Sequence, residues 1–490
     1  MPDRRSPVLV GVAQLEQRVD DPAAGLEPLE LMLEAVRRAA AECGRPGILE
    51  HADSVRVIKG LWPYENPARV LAERIGAPGA QTVGTPFGGN MVQHCVNHAA
   101  RAIRAGELDV VVLTGAENGR SRARLQKAGT RFAYSAAPGT PDLVVGSLEP
   151  LVHPAEVARN TVQAIQIYAI FENAIRHARG ESLADHSVRI SELWERFNAV
   201  AAANPHAWIR TRVSAEAIRT PSPDNRMICF PYPKLLNSNN SVDQGAALIL
   251  CSLEKAEALG CDPDAFVFQQ AGTDAHDQHQ VSHRDNLYSS PAMRLAGRRA
   301  LELAGTSPDA IEHVDVYSCF PSAVQIAAAE IGLSEGRPLT VTGGMTFAGG
   351  PLNNYVMHAI ARMAEVLRAD RGSRGLVTAN GGYLSKHAFG VYSTEPPDGG
   401  FAYEDLQAQV DAYPSREVVE DDYQGPATLE SYTVMYRGEA PVVAHTACRL
   451  EDGRRIWANA EDPELCVAMT REEFCGRAAR IESKGVLRVD

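Results

Sequence analysis

"TPFGGNMVQHCVNHAARAIRAGELDVVVLTGAEN" occupies residues 85–118 and decides how the rest of the chain is read. Two glycines and an asparagine precede a helical pattern. An apolar, β-branched run, "LDVVVLTGA" at 108–116, then suits a strand buried on both faces. The same order returns further along. Phe87 and Phe347, Gly84 and Gly344, Gly89 and Gly349, His98 and His358, and Ala99 and Ala359 are each 260 positions apart. Upstream, "EAVRRAAAECG" matches "LAGRRALELAG" at an offset of 261, and "LEHADSVRV" at 49–57 matches "IEHVDVYSC" at 311–319. The strand at 108–116 has its partner in "RGLVTANGG" at 374–382. Each unit reads as strand, helix, strand, helix, glycine turn, helix, strand, which predicts a layered α/β fold with two repeated halves.

Between the halves, residues 119–230 carry basic and helical character and predict an insertion over the top of the first half, a common place for ligand contacts. Core resumes at "LNSNNSVDQGAALILCS", 236–252. The prolines and glycines of "VYSTEPPDGG" at 391–400 mark a linker, and alternating segments from 427 onward predict a small β domain with five strands. The expected division is therefore 1–118 with 231–260 for the first half, 119–230 for the insertion, 261–395 for the second half, 396–425 for the linker and 426–490 for the β domain.

With 490 residues, 45% hydrophobic and 22% charged, the chain has a globular composition. A formal net charge of -13 argues against nucleic acid as a partner. Nine cysteines without a CxxC pair, and no histidine cluster at zinc spacing, predict no metal site and no disulfide framework. The first residues, "MPDRRSPVLVGVAQ", hold no apolar stretch of signal length, and no run of about 18 apolar residues occurs, so a cytoplasmic protein away from membranes is expected. GxGxxG, P-loop and GxSxG patterns are all missing.

The ordered landmarks "VLVGVAQ", "AARAIRAGELDVVVLTGAEN", "NNSVDQGAALILCS", "VDVYSCF", "GGMTFAGGP" and "GLVTANGG" resemble the thiolase superfamily over about 390 residues. Within it the chain most resembles bacterial type 1 thiolase-like proteins, relatives of the sterol carrier protein thiolases, with an extra C-terminal domain. The resemblance implies a thiolase fold in α/β/α/β/α layers plus an OB-like barrel. It also implies an acyltransferase cleft for an acyl-CoA thioester, as in acetyl-CoA acetyltransferases of lipid metabolism, and no further cofactor. Family members are dimers or tetramers, so a homodimer is expected, or a monomer if the added domain covers the shared face.

Carried over residue by residue, the resemblance shows what is lost. The nucleophile's place falls on Gly89. The histidine of the Gly-His-Pro turn falls on Gly350 in Gly349-Gly350-Pro351. The second cysteine falls on Asn380 in Asn380-Gly381-Gly382, and the Asn-Glu-Ala-Phe motif reads Tyr317-Ser318-Cys319-Phe320. Conventional acetyl transfer is not expected of such a set. The candidates that remain are backbone N–H groups of Gly88, Gly89, Gly349 and Gly350, together with Tyr317, Cys319, Asn380, Tyr383 and His387. Tyr317 is either a hydrogen-bonded core tyrosine or a cleft phenol that donates to a carbonyl or, with its pKa lowered, accepts the hydroxyl proton in aldol-type cleavage of a 3-hydroxyacyl-CoA. Cys95 reads as a core thiol. For coenzyme A the candidates are Arg120, Arg122, Arg124, Lys127, Arg131 and His153. A noncatalytic CoA-binding scaffold is the remaining alternative.

Overall fold

The computed structural model describes residues 3–420 and 422–489; residues 1, 2, 421 and 490, at the edges or within the expected divisions, lie outside the described residues. Strand Val110–Asn118 is buried along its whole length. It pairs in parallel with Ser54–Val57 and antiparallel with Asp243–Ser252, which in turn pairs with Pro7–Glu16. The second half repeats this order, with Val267–His276 beside Lys386–Ser393, then Arg374–Gly381, then His313–Asp315. Two residue pairs, Val8 with Phe268 and Leu9 with Val267, join the half-sheets into one sheet of eleven strands.

Helix Met91–Ala105 has a stripe of buried apolar residues at helical spacing, among them Val92, Cys95, Val96, Ala99 and Ile103, and Gly106 ends it with φ 80°. Helix Tyr355–Ala369 is its repeat. Both touch strands of both halves and one another, and so form the middle layer. Pro28–Glu42 packs on the first half-sheet and Pro291–Leu303 on the second, completing five layers.

The insertion behaves differently from expectation. Its long helices, Ala164–Arg179 and Leu183–Ala203, pack on Pro321–Ile331 of the second half, and Ala164–Arg179 also meets the C-terminal strand Gly425–Arg437. In this position Ala164–Arg179 supplies Ala164, Ile165 and Tyr168 to the cavity wall. Only its early part, Gly119–Lys127 and Leu143–Val144, lies on the first half, where Leu143–Val144 pairs in parallel with the edge strand Gln81–Gly84.

The expected linker is also structured. Ala402–Asp405 adds in parallel to Val267–His276, because its backbone finds an unpaired flank there. Beyond it, Gly425–Arg437, Ala440–Arg449, Arg455–Ala460, Ala478–Glu482 and Val486–Arg488 close into a five-stranded barrel, the first strand pairing with both the second and the fourth. Met227–Phe230 of the insertion pairs onto Gly425–Arg437.

The barrel is seated by polar groups removed from water. Arg455, fully buried, donates to the Glu430 carboxylate at 2.8 Å and to the carbonyls of Ser282 and Arg284 at 2.8 and 2.6 Å. Trp457 Nε1 donates to Ser282 Oγ at 2.8 Å. Among the described residues no helix is long and apolar enough to cross a membrane.

Candidate functional site

The turn at 85–90, the segment Tyr317–Phe320, the loop after Asn380 and the insertion meet around a cavity of about 420 Å³. Gly88, Gly89, Tyr317, Cys319, Asn380 and Tyr383, from both halves, line it, whereas Gly349, Gly350 and His387, nominated with them, do not.

Gly89 is a glycine for a spatial reason. A Cβ there would come within 2.5 Å of the Asn380 carbonyl oxygen and 2.7 Å of Tyr317 Cζ, and nearer still to the Tyr317 hydroxyl. The phenol of Tyr317 therefore fills the volume a nucleophilic side chain at residue 89 needs. Tyr317 is held by its amide, which donates to Thr378 Oγ1 at 2.9 Å, and by an edge-on contact with the Tyr355 ring at 5.7 Å. Burial pushes its pKa up. That is the opposite of the lowering a base requires, so the phenol is a proton donor at neutral pH.

Asn380 is 1% exposed, and its Nδ2 donates to Tyr168 Oη at 2.9 Å. Tyr168 Oη also accepts from Leu384 N at 3.0 Å, and its ring stacks on Phe320 at 4.6 Å. Cys319 lies beside this pair, 3.9 Å from Asn380 Nδ2, its thiol pushed up to about 12 by burial. Such a thiol is almost wholly protonated at neutral pH. Tyr383 lines the cavity with its hydroxyl donated to Val162 O at 2.5 Å.

At the histidine's expected seat, a Cβ on Gly350 would lie 3.1 Å from Asn240 Oδ1. The backbone donors expected to hold an oxyanion are partly engaged. Gly88 N donates to Asn353 Oδ1 at 3.2 Å and Gly350 N to Asn239 O at 2.9 Å. His387, although cross-strand from Asn380, does not line the cavity. It is fully buried, and its Nε2 lies 3.3 Å from Asp277 Oδ2, in a cluster with Arg284 and Ser290. Cys95 is buried in the middle layer, pushed up to about 12.

None of the cations nominated for coenzyme A lines the cavity. Arg124 donates to the carbonyls of Val19 and Asp20, Arg122 to that of Leu61, and Arg120 faces the Trp208 ring at 5.8 Å. Lys127 and Arg131 are exposed. His153 caps helix Pro154–Ala158, accepting from Ala155 N at 3.1 Å, and lies 3.2 Å from Glu420. Burial lowers its pKa. Tyr168 is one of the site residues that sequence reasoning missed, as are Asn237, Asn240 and Asn353. It sits in the apolar stretch "AIQIYAIF", where nothing distinguishes it from core. Lys386 was missed too; its Nζ donates to Phe87 O at 3.1 Å behind the glycine turn.

Five layers, paired glycine turns and the cleft between them define a thiolase fold. Residues 405–486 match the model of the thiolase-like protein type 1 additional C-terminal domain. A crystal structure of a monomeric SCP2-thiolase like protein type 1 from Mycobacterium smegmatis is 31% identical, covers 100% of both chains and superposes with a TM-score of 0.85. The chain belongs to this SCP2-thiolase-like type 1 family. Among curated relatives, a steroid side-chain-cleaving aldolase of Thermomonospora curvata is 27% identical over 71% of this chain and 87% of its own length. A 17-hydroxy-3-oxo-4-pregnene-20-carboxyl-CoA lyase of Mycobacterium tuberculosis is 24% identical over 71% and 88%.

Proposed function

We propose that the chain binds an acyl thioester such as acyl-CoA in this cavity and does not pass the acyl group through a cysteine. One observation carries the reading: Tyr317 fills the space at Gly89 that a nucleophile needs. The ionisable side chains lining the cavity are Tyr168, Tyr317, Tyr383 and Cys319, and burial raises the pKa of each. A wall of neutral donors suits an uncharged acyl group whose carbonyl accepts a hydrogen bond from Tyr317. No separate cofactor enters this reading. Of the five arginine and lysine candidates for the CoA phosphates, Arg120 is favoured, since Gly119 packs against the backbone of Asn240, which lines the cavity. The barrel's strand order, with the last strand parallel to the third, supports an OB-like assignment, and nine free, buried cysteines support a reducing, cytoplasmic compartment.

A second reading, carbon–carbon cleavage of a 3-hydroxyacyl thioester, is supported by the names of the two curated relatives. In that reaction the Cα–Cβ bond breaks as the hydroxyl loses its proton and the β-carbon leaves as a carbonyl. The thioester enolate then takes a proton at its α-carbon. Tyr317 would return that proton. The hydroxyl's proton needs an acceptor, and the raised pKa values leave none ionised in the cavity, which places this reading second.

Titration calorimetry with hexanoyl-CoA, followed by mass spectrometry after incubation with acetoacetyl-CoA and with 3-hydroxyhexanoyl-CoA, tests both. Binding without products is expected. Cleavage of the hydroxyacyl substrate that Tyr317→Phe abolishes would promote the second reading, and an acyl-enzyme lost in Cys319→Ala would overturn the first.

A further inference from the structure

One side chain of the barrel reaches the turn that enters the cavity wall. His445, on strand Ala440–Arg449, is 2% exposed. Its Nδ1 lies 2.9 Å from Thr161 Oγ1, and its Nε2 lies 3.0 Å from Gln166 Nε2. The orientation of Gln166 is set from its other end: Oε1 accepts from Val162 N at 2.9 Å and Gln163 N at 2.8 Å, while Nε2 donates to Asn160 O at 3.0 Å. An amide nitrogen only donates, so His445 Nε2 must accept and Nδ1 must carry the proton given to Thr161. A single tautomer thus satisfies both contacts.

The turn held this way is close to the ligand site. Asn160 has φ 52°, in the left-handed region that asparagine tolerates better than most residues with a side chain. Val162 O anchors the Tyr383 hydroxyl, and the next residues, Ala164 and Ile165, line the cavity. Asn459 of the barrel adds a bond from its Nδ2 to Arg159 O at 2.9 Å.

We propose that His445 is a positioning residue by which the C-terminal barrel sets the cavity wall: it fixes Thr161 and Gln166, which hold the turn carrying Ala164, Ile165 and the anchor of Tyr383. The fused domain is then part of the ligand site rather than an appendage. A wall pinned by buried hydrogen bonds keeps its shape when the ligand arrives, which is what specificity by fit requires. The significance of the wall rests on the cavity being the ligand site, whereas the pinning itself does not.

Hydrogen exchange on the full chain separates the two. In His445→Phe, which keeps the ring and removes both polar contacts, amide exchange at Val162 and Gln163 should accelerate at least tenfold while the barrel amides of Ala444 and Ala458 stay protected. Thr161→Val removes the other group that His445 holds while leaving the Gln166 amide in place, and should give the same acceleration. If His445→Phe loosens the whole barrel, Thr161→Val decides. Unchanged exchange at Val162 and Gln163 in Thr161→Val, or in a His445→Phe protein whose barrel stays protected, overturns the proposal. Hexanoyl-CoA affinity, measured in parallel, should fall several-fold in both variants. If the wild type binds no hexanoyl-CoA and exchange still accelerates, the ligand reading fails and the positioning role stands.

Discussion

Tyr317 and Gly89 show how a single contact changes what a site can do. The phenol belongs to the second half and the glycine to the first, and each is shaped by the other's presence. Gly89→Ala should therefore destabilise the protein by about 1–3 kcal/mol, the usual cost of forcing a methyl into filled space. Urea unfolding measures it, and the loss caused by Gly89→Ala should be smaller in a Tyr317→Ala background than in the wild type. An additive pair of losses would show that the two residues do not compete. The assignment of residues 89, 350 and 380 rests on counting along the family's motifs. That Tyr317 occupies the space beside Gly89 was not legible, because the approach spans 228 positions of chain and depends on both turns folding onto one cleft. Arg120, Arg122, Arg124 and Lys127 were legible as a basic run, but their partners, mostly carbonyls of other segments, were not.

At the level of elements, the two middle-layer helices carry buried polar groups among their apolar faces. His358 on Tyr355–Ala369 is enclosed, with Nδ1 3.2 Å from Gln14 Oε1, and burial lowers its pKa to about 3. The unfolded chain protonates this ring near its ordinary value, so below pH ~6.5 the unfolded state binds the extra proton. Stability from this group is thus complete above that pH and lost on acidification down toward pH 3, at roughly 1.4 kcal/mol per pH unit. Denaturation midpoints between pH 7 and 4 should fall less steeply in His358→Gln than in the wild type; equal slopes would contradict the assignment. The strands and helices of both halves were readable because each repeats an apolar pattern of fixed period. The insertion's placement was not, since its helices are amphipathic without saying which half receives the apolar side. The Pro- and Gly-rich stretch after 391 hid a strand for a similar reason: Ala402–Asp405 is defined by the flank it joins, not by its own residues.

For the whole molecule, the decisive surface is the edge of the eleven-stranded sheet. An open edge strand is a template for another chain. Here Leu143–Val144 pairs with Val83 and Gly84, and Asp142 accepts from Thr82 N and Thr82 Oγ1, both at 2.8 Å. With the Gln81–Gly84 edge of the first half already occupied by its own insertion, the chain should be monomeric. Light scattering should give the mass of one chain, and Asp142→Ala, by loosening the strap, should add a concentration-dependent dimer. A dimeric wild type would show that another surface joins the copies. The two alternatives left open by the family resemblance, a homodimer or a self-covered monomer, are what that measurement separates.

The meeting of Tyr317 with Gly89 also bears on ancestry. A descendant gaining a thiol at residue 89 collides with the phenol, and one that first trims the phenol leaves a hollow under the turn. Either route to a nucleophile there passes through a less stable molecule, so the pairing acts as a ratchet, held by a lock whose two parts lie in opposite halves of the internal repeat.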